Sequence, residues 1–388
     1  MIHTVDVLVI ITFLVVQWRI TTLLFRTSAR RYSGIRLAAA RGLILGFDVT
    51  LLIGYTLSFS ELLSRVHVPS RFGAMLAAAA LFYLLVATGM LAVYTLRQFI
   101  LRRWTSEADP GRRRVIKLAA NVAMAAPAAV LGYGTFIQRL DFHVREIDVP
   151  IPDLPRDLDG LRILQLSDIH RGPFLDDRDL GKVIDASLEV KAHLAVITGD
   201  LISTRGDPLD SCISQLARIK ADAGVFGCMG NHEQYANTTE YTEAAAARVG
   251  IRFLRGHSQN LRFGSATLNL AGLDYQRRED KPHYLSGAER LIQPGAVNIL
   301  LQHNPDVFPV AARQGYNLLL AGHTHGGQVT VEILHESINP ARFFTPYIYG
   351  LYRSGNAAAY VTRGIGTIGL PTRIGAPPEI SVLRLRKA

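Results

Sequence analysis

The chain has 388 residues, 49% of them hydrophobic, with a mean hydropathy of +0.18; this is too apolar for a wholly soluble protein and long enough for roughly two or three domains. The net charge of +10 is uneven: residues 1–140 hold 16 Lys+Arg against 5 Asp+Glu, and residues 141–388 hold 26 against 27. An excess confined to apolar segments belongs to a membrane protein and excludes a basic nucleic-acid face on the other half, while two cysteines, Cys212 and Cys228, are too few for a disulfide framework.

Four segments are long and apolar enough to span about 30 Å of hydrocarbon, which takes about 20 residues. They run over 5–25, 42–63, 72–100 and 115–137. Arg19 interrupts the first. The first loop carries Arg26, Arg30, Arg31, Arg36 and Arg41, and the third carries Arg102, Arg103 and Arg112 to Arg114. The second loop has only Arg65 and Arg71, and the tail before the first span has neither Lys nor Arg. The positive-inside rule puts the first and third loops in the cytoplasm and everything after the fourth span on the outer face. Arg112-Arg113-Arg114 before an Ala-rich stretch is similar to a twin-arginine export signal, or serves as a plain cytoplasmic anchor. Asp48 is expected to pair with a neighbouring helix and Glu61 to lie near an interface.

Residues 141–160, rich in Pro and Asp from 149 on, read as a linker, and 161–388 as a single catalytic domain. Within it, apolar runs predict strands at 162–166, 195–198, 225–229, 267–271, 298–301, 318–321, 328–333, 360–363 and 380–385. Helices are expected at 177–191, 208–220, 241–249, 287–291 and 307–314. Fully apolar strands interleaved with helices predict an α/β architecture of two packed sheets flanked by helices.

Polar residues follow those strands directly. Asp168 and His170 end the first, Asp200 the second, and Asn231-His232-Glu233 the third; later ends carry His303, then His323-Thr324-His325. Ligand sites gather at the carboxyl ends of strands in layered α/β folds. Mixed nitrogen and oxygen donors without thiolate suit manganese, iron, zinc or cobalt better than calcium. Asp-x-His and His-x-His put alternate side chains of an extended segment on one side. Each piece alone is common; the ordered set, with spacings of 32 and 31 residues from Asp168 to Asp200 to Asn231, is not.

With this set the chain resembles the calcineurin-like metallophosphoesterase superfamily from about Leu161 to Leu385. The stretches around 363–366 and 377–380 look like its membrane-associated bacterial branch, which includes cell-envelope phosphodiesterases and UDP-diacylglucosamine pyrophosphatase relatives. The resemblance implies a four-layer α/β/β/α sandwich behind the transmembrane region. It also implies two divalent metal ions, one held by Asp168, His170 and His325, the other by Asn231, His303 and His323, with Asp200 bridging both. His232 would sit over the phosphate as general acid, oriented by Glu233, while a bridging hydroxide attacks phosphorus. The expected substrate is a phosphodiester or pyrophosphate, lipid- or nucleotide-linked, at the cell membrane. A phosphomonoesterase, a non-catalytic sensor or scaffold with a vestigial metal site, and a four-helix transporter are the alternatives. Arg171 is expected to be a solvated loop residue.

Overall fold

The computed structural model describes residues 4–59, 70–104, 110–333 and 336–388. Glu61, Arg65 and the far end of the expected second span lie outside the described residues. The chain divides into two compact units, Met1–Tyr133 and Gly134–Ala388.

The first unit is helical: α1 (Thr4–Arg31), α2 (Gly34–Phe59), α3 (Ser70–Trp104) and α4 (Pro110–Phe136, whose last turn belongs to the second unit). Large apolar side chains such as Leu43, Phe47 and Ile53 face outward, as in helices whose solvent is lipid. A small inner core joins Phe13 and Val16 of α1 to Ala80, Leu84 and Ala87 of α3. The carboxylate of Asp48 is satisfied from α1: Gln17 Nε2 donates to it at 2.5 Å and Thr21 Oγ1 at 2.7 Å. Tyr83 of α3 donates to Gln17 Oε1 at 2.9 Å, which ties three helices together. Among the described residues three helices are long and apolar enough to cross a membrane, in 10–31, 34–54 and 78–100. The fourth expected segment does form a helix, α4, but is not among the three. It is led by a basic cluster, rich in alanine, and interrupted by Asn121 and Pro127.

The second unit holds two six-stranded sheets. The first comprises β1 (His143–Ile151), β2 (Arg162–Leu166), β3 (Leu194–Thr198), β4 (Val225–Cys228), β5 (Ile251–Phe253) and β14 (Glu379–Lys387), in the order β1-β14-β2-β3-β4-β5. The second comprises β6 (His257–Phe263), β7 (Ala266–Gly272), β8 (Val297–Leu301), β9 (Leu318–Ala321), β12 (Gly350–Ser354) and β13 (Ala357–Val361), in the order β12-β13-β9-β8-β7-β6. A short hairpin, β10 (Val331–Ile333) with β11 (Glu336–Ile338), stands apart. β2 to β5 run parallel, as do β7, β8, β9 and β13.

Alternation along the strands builds the layers. Ile163, Leu194, Val196 and Phe226 of the first sheet meet Leu268, Leu270, Ile299 and Leu320 of the second in one apolar core. The opposite residues, such as Leu164, Ala195 and Ile197, pack under α5 (Asp177–Glu189), α6 (Leu209–Leu216) and α8 (Thr239–Arg248). Leu300, Leu319 and Ala359 pack under α9 (Phe308–Gln314) on the far side. The result is the four-layer α/β/β/α sandwich. Strands buried on both faces read as continuous apolar runs, so their positions were predictable.

Four expectations are corrected. Residues 143–151, given above as linker, form an edge strand paired in parallel with β14. Its first half is exposed and only Val149 and Ile151 enter the inter-sheet core; Pro150, which has no N–H to donate, is tolerated at a sheet edge. The strand expected at 328–333 starts only at Val331, after a turn in which Gln328 has φ 56°. The strand expected at 360–363 lies at Ala357–Val361, and its last residues become a loop. The helix expected at 287–291 is a single 3₁₀ turn, Ala288–Leu291. The two cysteines are free and buried.

Candidate metal centre

Strand β2 ends at Leu166 and delivers Ser167, Asp168 and His170; β3 delivers Asp200. The loop after β4 starts the short helix α7 (Asn231–Tyr235), and the ends of β8 and β9 deliver His303, His323 and His325. Backbone bonds lace these loops together: Asp168 N donates to Gly199 O, His170 N to Asp200 O, Gly322 N to His303 O, and Gly366 N to Asp168 O. Asp168, His170, Asp200, His323 and His325 all have φ between 49° and 76°. Non-glycine residues seldom adopt that region, and strain of this kind collects at functional sites.

The side chains converge. Three overlapping groups have ligating atoms within 4.8 Å of one another: Asp168, His170 and His325; His170, Asp200 and His232; Asp200, His303 and His323. His170 Nε2 stands 3.2 Å from His325 Nε2 and 3.6 Å from Asp200 Oδ2. His325 Nε2 lies 3.3 Å from Asp168 Oδ1, and His303 Nε2 lies 2.9 Å from Asp200 Oδ2. The His323 ring packs 5.1 Å from that of His303, and Tyr275 closes over both. Close approach leaves no room for a side chain at Gly322, where a Cβ would overlap Ser167 Oγ and Asp168 Oδ2.

Burial sets the charge states. Asp168 and Asp200 are almost fully buried, and among the described residues no Lys or Arg pairs with either. Burial pushes Asp168 up to about 6. Burial also opposes ionisation of Asp200, yet His303, His232 and His170 hold it well below the ordinary carboxylate range. Burial drives His170 and His323 down to about 3 and holds His325 well below its ordinary value, so these rings are neutral and able to ligate. His303 is the exception: burial opposes its charge, but Asp200 and Asp168 together raise it to about 10.

The donor set fits divalent cations. Asn231 Oδ1 is buried without a hydrogen-bond partner, the condition of an amide oxygen reserved for a ligand. His303 Nδ1 donates to Thr198 O at 2.5 Å, which turns Nε2 toward the carboxylates, the usual orientation of a metal-binding histidine.

His232 and Glu233 do not act on each other as expected. The buried Glu233 carboxylate accepts three backbone amides: Asp200 N at 2.9 Å, Leu201 N at 2.7 Å and Gly230 N at 2.8 Å. It staples the loop after β3 to the loop after β4. His232 is oriented instead by Ser203, whose carbonyl accepts from Nδ1 at 2.6 Å. Its backbone N–H donates to Asp200 Oδ1 at 2.9 Å, and its ring lies 4.7 Å from that of His170. Arg171 is no solvated loop residue: it is buried and tied to Asp177, Gly172 O and Leu175 O.

Arg373 was not foreseen. Its fully buried guanidinium donates to the carbonyls of Gly364, Gly366, Ala376 and His325, fixing the loops that carry His325 and back onto Asp168. An isolated arginine in a loop gives no sequence signal for such a role.

The calcineurin-like phosphoesterase family model matches residues 161–327. The metallophosphoesterase YkuE of Bacillus subtilis is 30% identical over 258 residues, covering 66% of this chain and 89% of that protein. The zebrafish transmembrane protein with metallophosphoesterase domain is 30% identical over 279 residues, 69% of this chain and 62% of that protein. The phosphodiesterase YaeI of Escherichia coli is 29% identical over 232 residues, 58% of this chain and 82% of that protein.

Replacing Glu233 by Ala orphans three buried amides, and we expect a loss of about 2–4 kcal/mol of stability. The check is the thermal unfolding midpoint of the full chain in detergent; an unchanged midpoint would refute the staple.

Proposed function

Because the chain belongs to the calcineurin-like phosphoesterase family, we propose that it is a membrane-anchored, dinuclear metal-dependent hydrolase of phosphodiester or pyrophosphate bonds. The observation that carries this is the convergence of two buried carboxylates, unpaired by Lys or Arg among the described residues, with five imidazoles and the orphaned Asn231 amide.

In this reading Asp168, His170 and His325 hold one cation, and Asn231, His303 and His323 hold the second. Asp200, whose Oδ2 faces both His170 and His303, lies between them. Two such cations polarise a phosphoryl group and supply a nucleophilic water at neutral pH. His303 gives up its proton when its nitrogen becomes a ligand, and His170, His323 and His325 enter already neutral. His232 keeps Nδ1–H on the Ser203 carbonyl, so Nε2 is the nitrogen free to move a proton to the leaving oxygen. Tyr275 and Tyr235 flank the imidazoles. The Escherichia coli relative described as a phosphodiesterase, and the three apolar helices, support a diester at or near the bilayer as substrate, lipid- or nucleotide-linked. The metals are of the manganese, iron or zinc type.

The arginine clusters at 26–41 and 102–114 support a multi-pass chain with both on the cytoplasmic side, and with α4 as a fourth crossing the second unit lies on the outer face.

Asp200→Asn keeps the shape and the His232 N–H bond but removes the charge. We expect metal-dependent hydrolysis of a bis-aryl phosphate to fall by at least about 10²-fold, together with bound metal measured by elemental analysis. Normal turnover in this variant would refute the reading. His232→Ala should lose about 10²-fold in rate with metal content intact; loss of metal would make His232 a ligand. Faster turnover of a mono-aryl than of a bis-aryl phosphate by the unaltered protein would point to a phosphomonoesterase. Orientation is checked by protease treatment of right-side-out vesicles: the second unit should be degraded, and full protection would reverse the topology.

A further inference from the structure

Arg19 has no part in the proposed hydrolysis. It interrupts the apolar α1, and Arg26 and Arg30 follow it at i+7 and i+11, a spacing that keeps all three on one side of a helix. Among the described residues none of the three forms an ion pair, and Asp48 is engaged by Gln17 and Thr21 instead. A charge at membrane depth is expensive without a counter-ion.

The three arginines line a cavity of about 730 Å³ between α1 and α3, with Thr22, Thr95 and Gln98 as further polar groups on its wall. A second cavity of about 300 Å³ lies between the same helices and shares Leu23, Leu91 and Tyr94 with the first. Its other walls, Ile20, Val86 and Met90 among them, are apolar. A cationic chamber thus stands beside an apolar slot across the shared wall of Leu23, Leu91 and Tyr94, which is the complement of an amphiphile with an anionic head.

We propose that these adjacent cavities bind one glycerophospholipid of net negative charge, its phosphate held by Arg19, Arg26 and Arg30 and an acyl chain in the slot beside Met90. A zwitterionic lipid carries its own ammonium and competes poorly for three unpaired guanidinium groups. The site lies wholly within the helical unit and does not depend on the reading of the metal centre.

The test uses the full chain, equilibrated with vesicles of equal phosphatidylglycerol and phosphatidylcholine with identical acyl chains, then extracted for native mass spectrometry. We expect one phosphatidylglycerol to be retained in preference to phosphatidylcholine. R19Q, R26Q and R30Q should each reduce that retention by about fivefold, the size of one basic contact with an anionic lipid. R36Q, outside the cavity, should leave it unchanged, and Met90→Trp should reduce it without altering charge. Equal retention of the two lipids by the unaltered protein would overturn the proposal, and that measurement needs no variant to fold. So would an equal loss in R36Q, or stabilisation by soluble glycerophosphate as strong as by the lipid.

Discussion

Two carboxylates buried close together, with no Lys or Arg ion-paired to either among the described residues, are the constraint around which the second unit is organised. Asp168 and Asp200 sit at the ends of adjacent parallel strands, where water does not reach them. A buried charge persists only if something compensates it. The protein offers imidazoles, which are the one kind of side chain able to carry a proton or yield it to a cation near neutral pH. With its proton on, His303 does the work of a positive charge; without it, the same nitrogen would be free to ligate a cation.

The fold supplies that arrangement through direction. Both sheets contain parallel strands, and the ends of β2, β3, β4, β8 and β9 all open on one edge. The loops after β2, β3 and β9 hold Asp168, His170, Asp200, His323 and His325 in a left-handed backbone conformation, so these residues cannot relax away without unmaking the lacing between loops. Glu233 and Arg373 serve the same purpose from opposite signs. One takes amides that would otherwise be orphaned, and the other takes carbonyls. Neither touches the other's loop, and between them they fix the approaches to Asp200 and to Asp168.

Much of this was legible in the chain. Strands such as Arg162–Leu166 and Leu318–Ala321 are buried on both faces, so their apolar runs mark them almost residue for residue. The polar residues directly after those runs then fall at strand ends, which is why Asp168, Asp200 and the distal histidines could be brought to one place on paper. What was missed has physical reasons. β1 is an edge strand with one wet half, so its sequence looks like a loop. β12 and β6 are similarly half exposed. The partner of His232 is a backbone carbonyl, and a carbonyl has no identity in a sequence; Glu233, adjacent and acidic, was the natural but mistaken choice. Arg373 bonds only to carbonyls and was invisible for the same reason. The fourth apolar segment was recognised as a helix, but its alanines and leading arginines make it a weaker span than the others.

The position of β14 has a consequence for how the molecule is made. Strand order places it between β1 and β2, although it follows them by the whole length of the domain. A ribosome releases β1 and β2 early, with an empty lane between them, and the piece that fills the lane emerges after the metal-site loops have all been translated. Until then two strand edges stay open. The first sheet is thus finished late, and assembly of the site waits on residues that take no part in its chemistry.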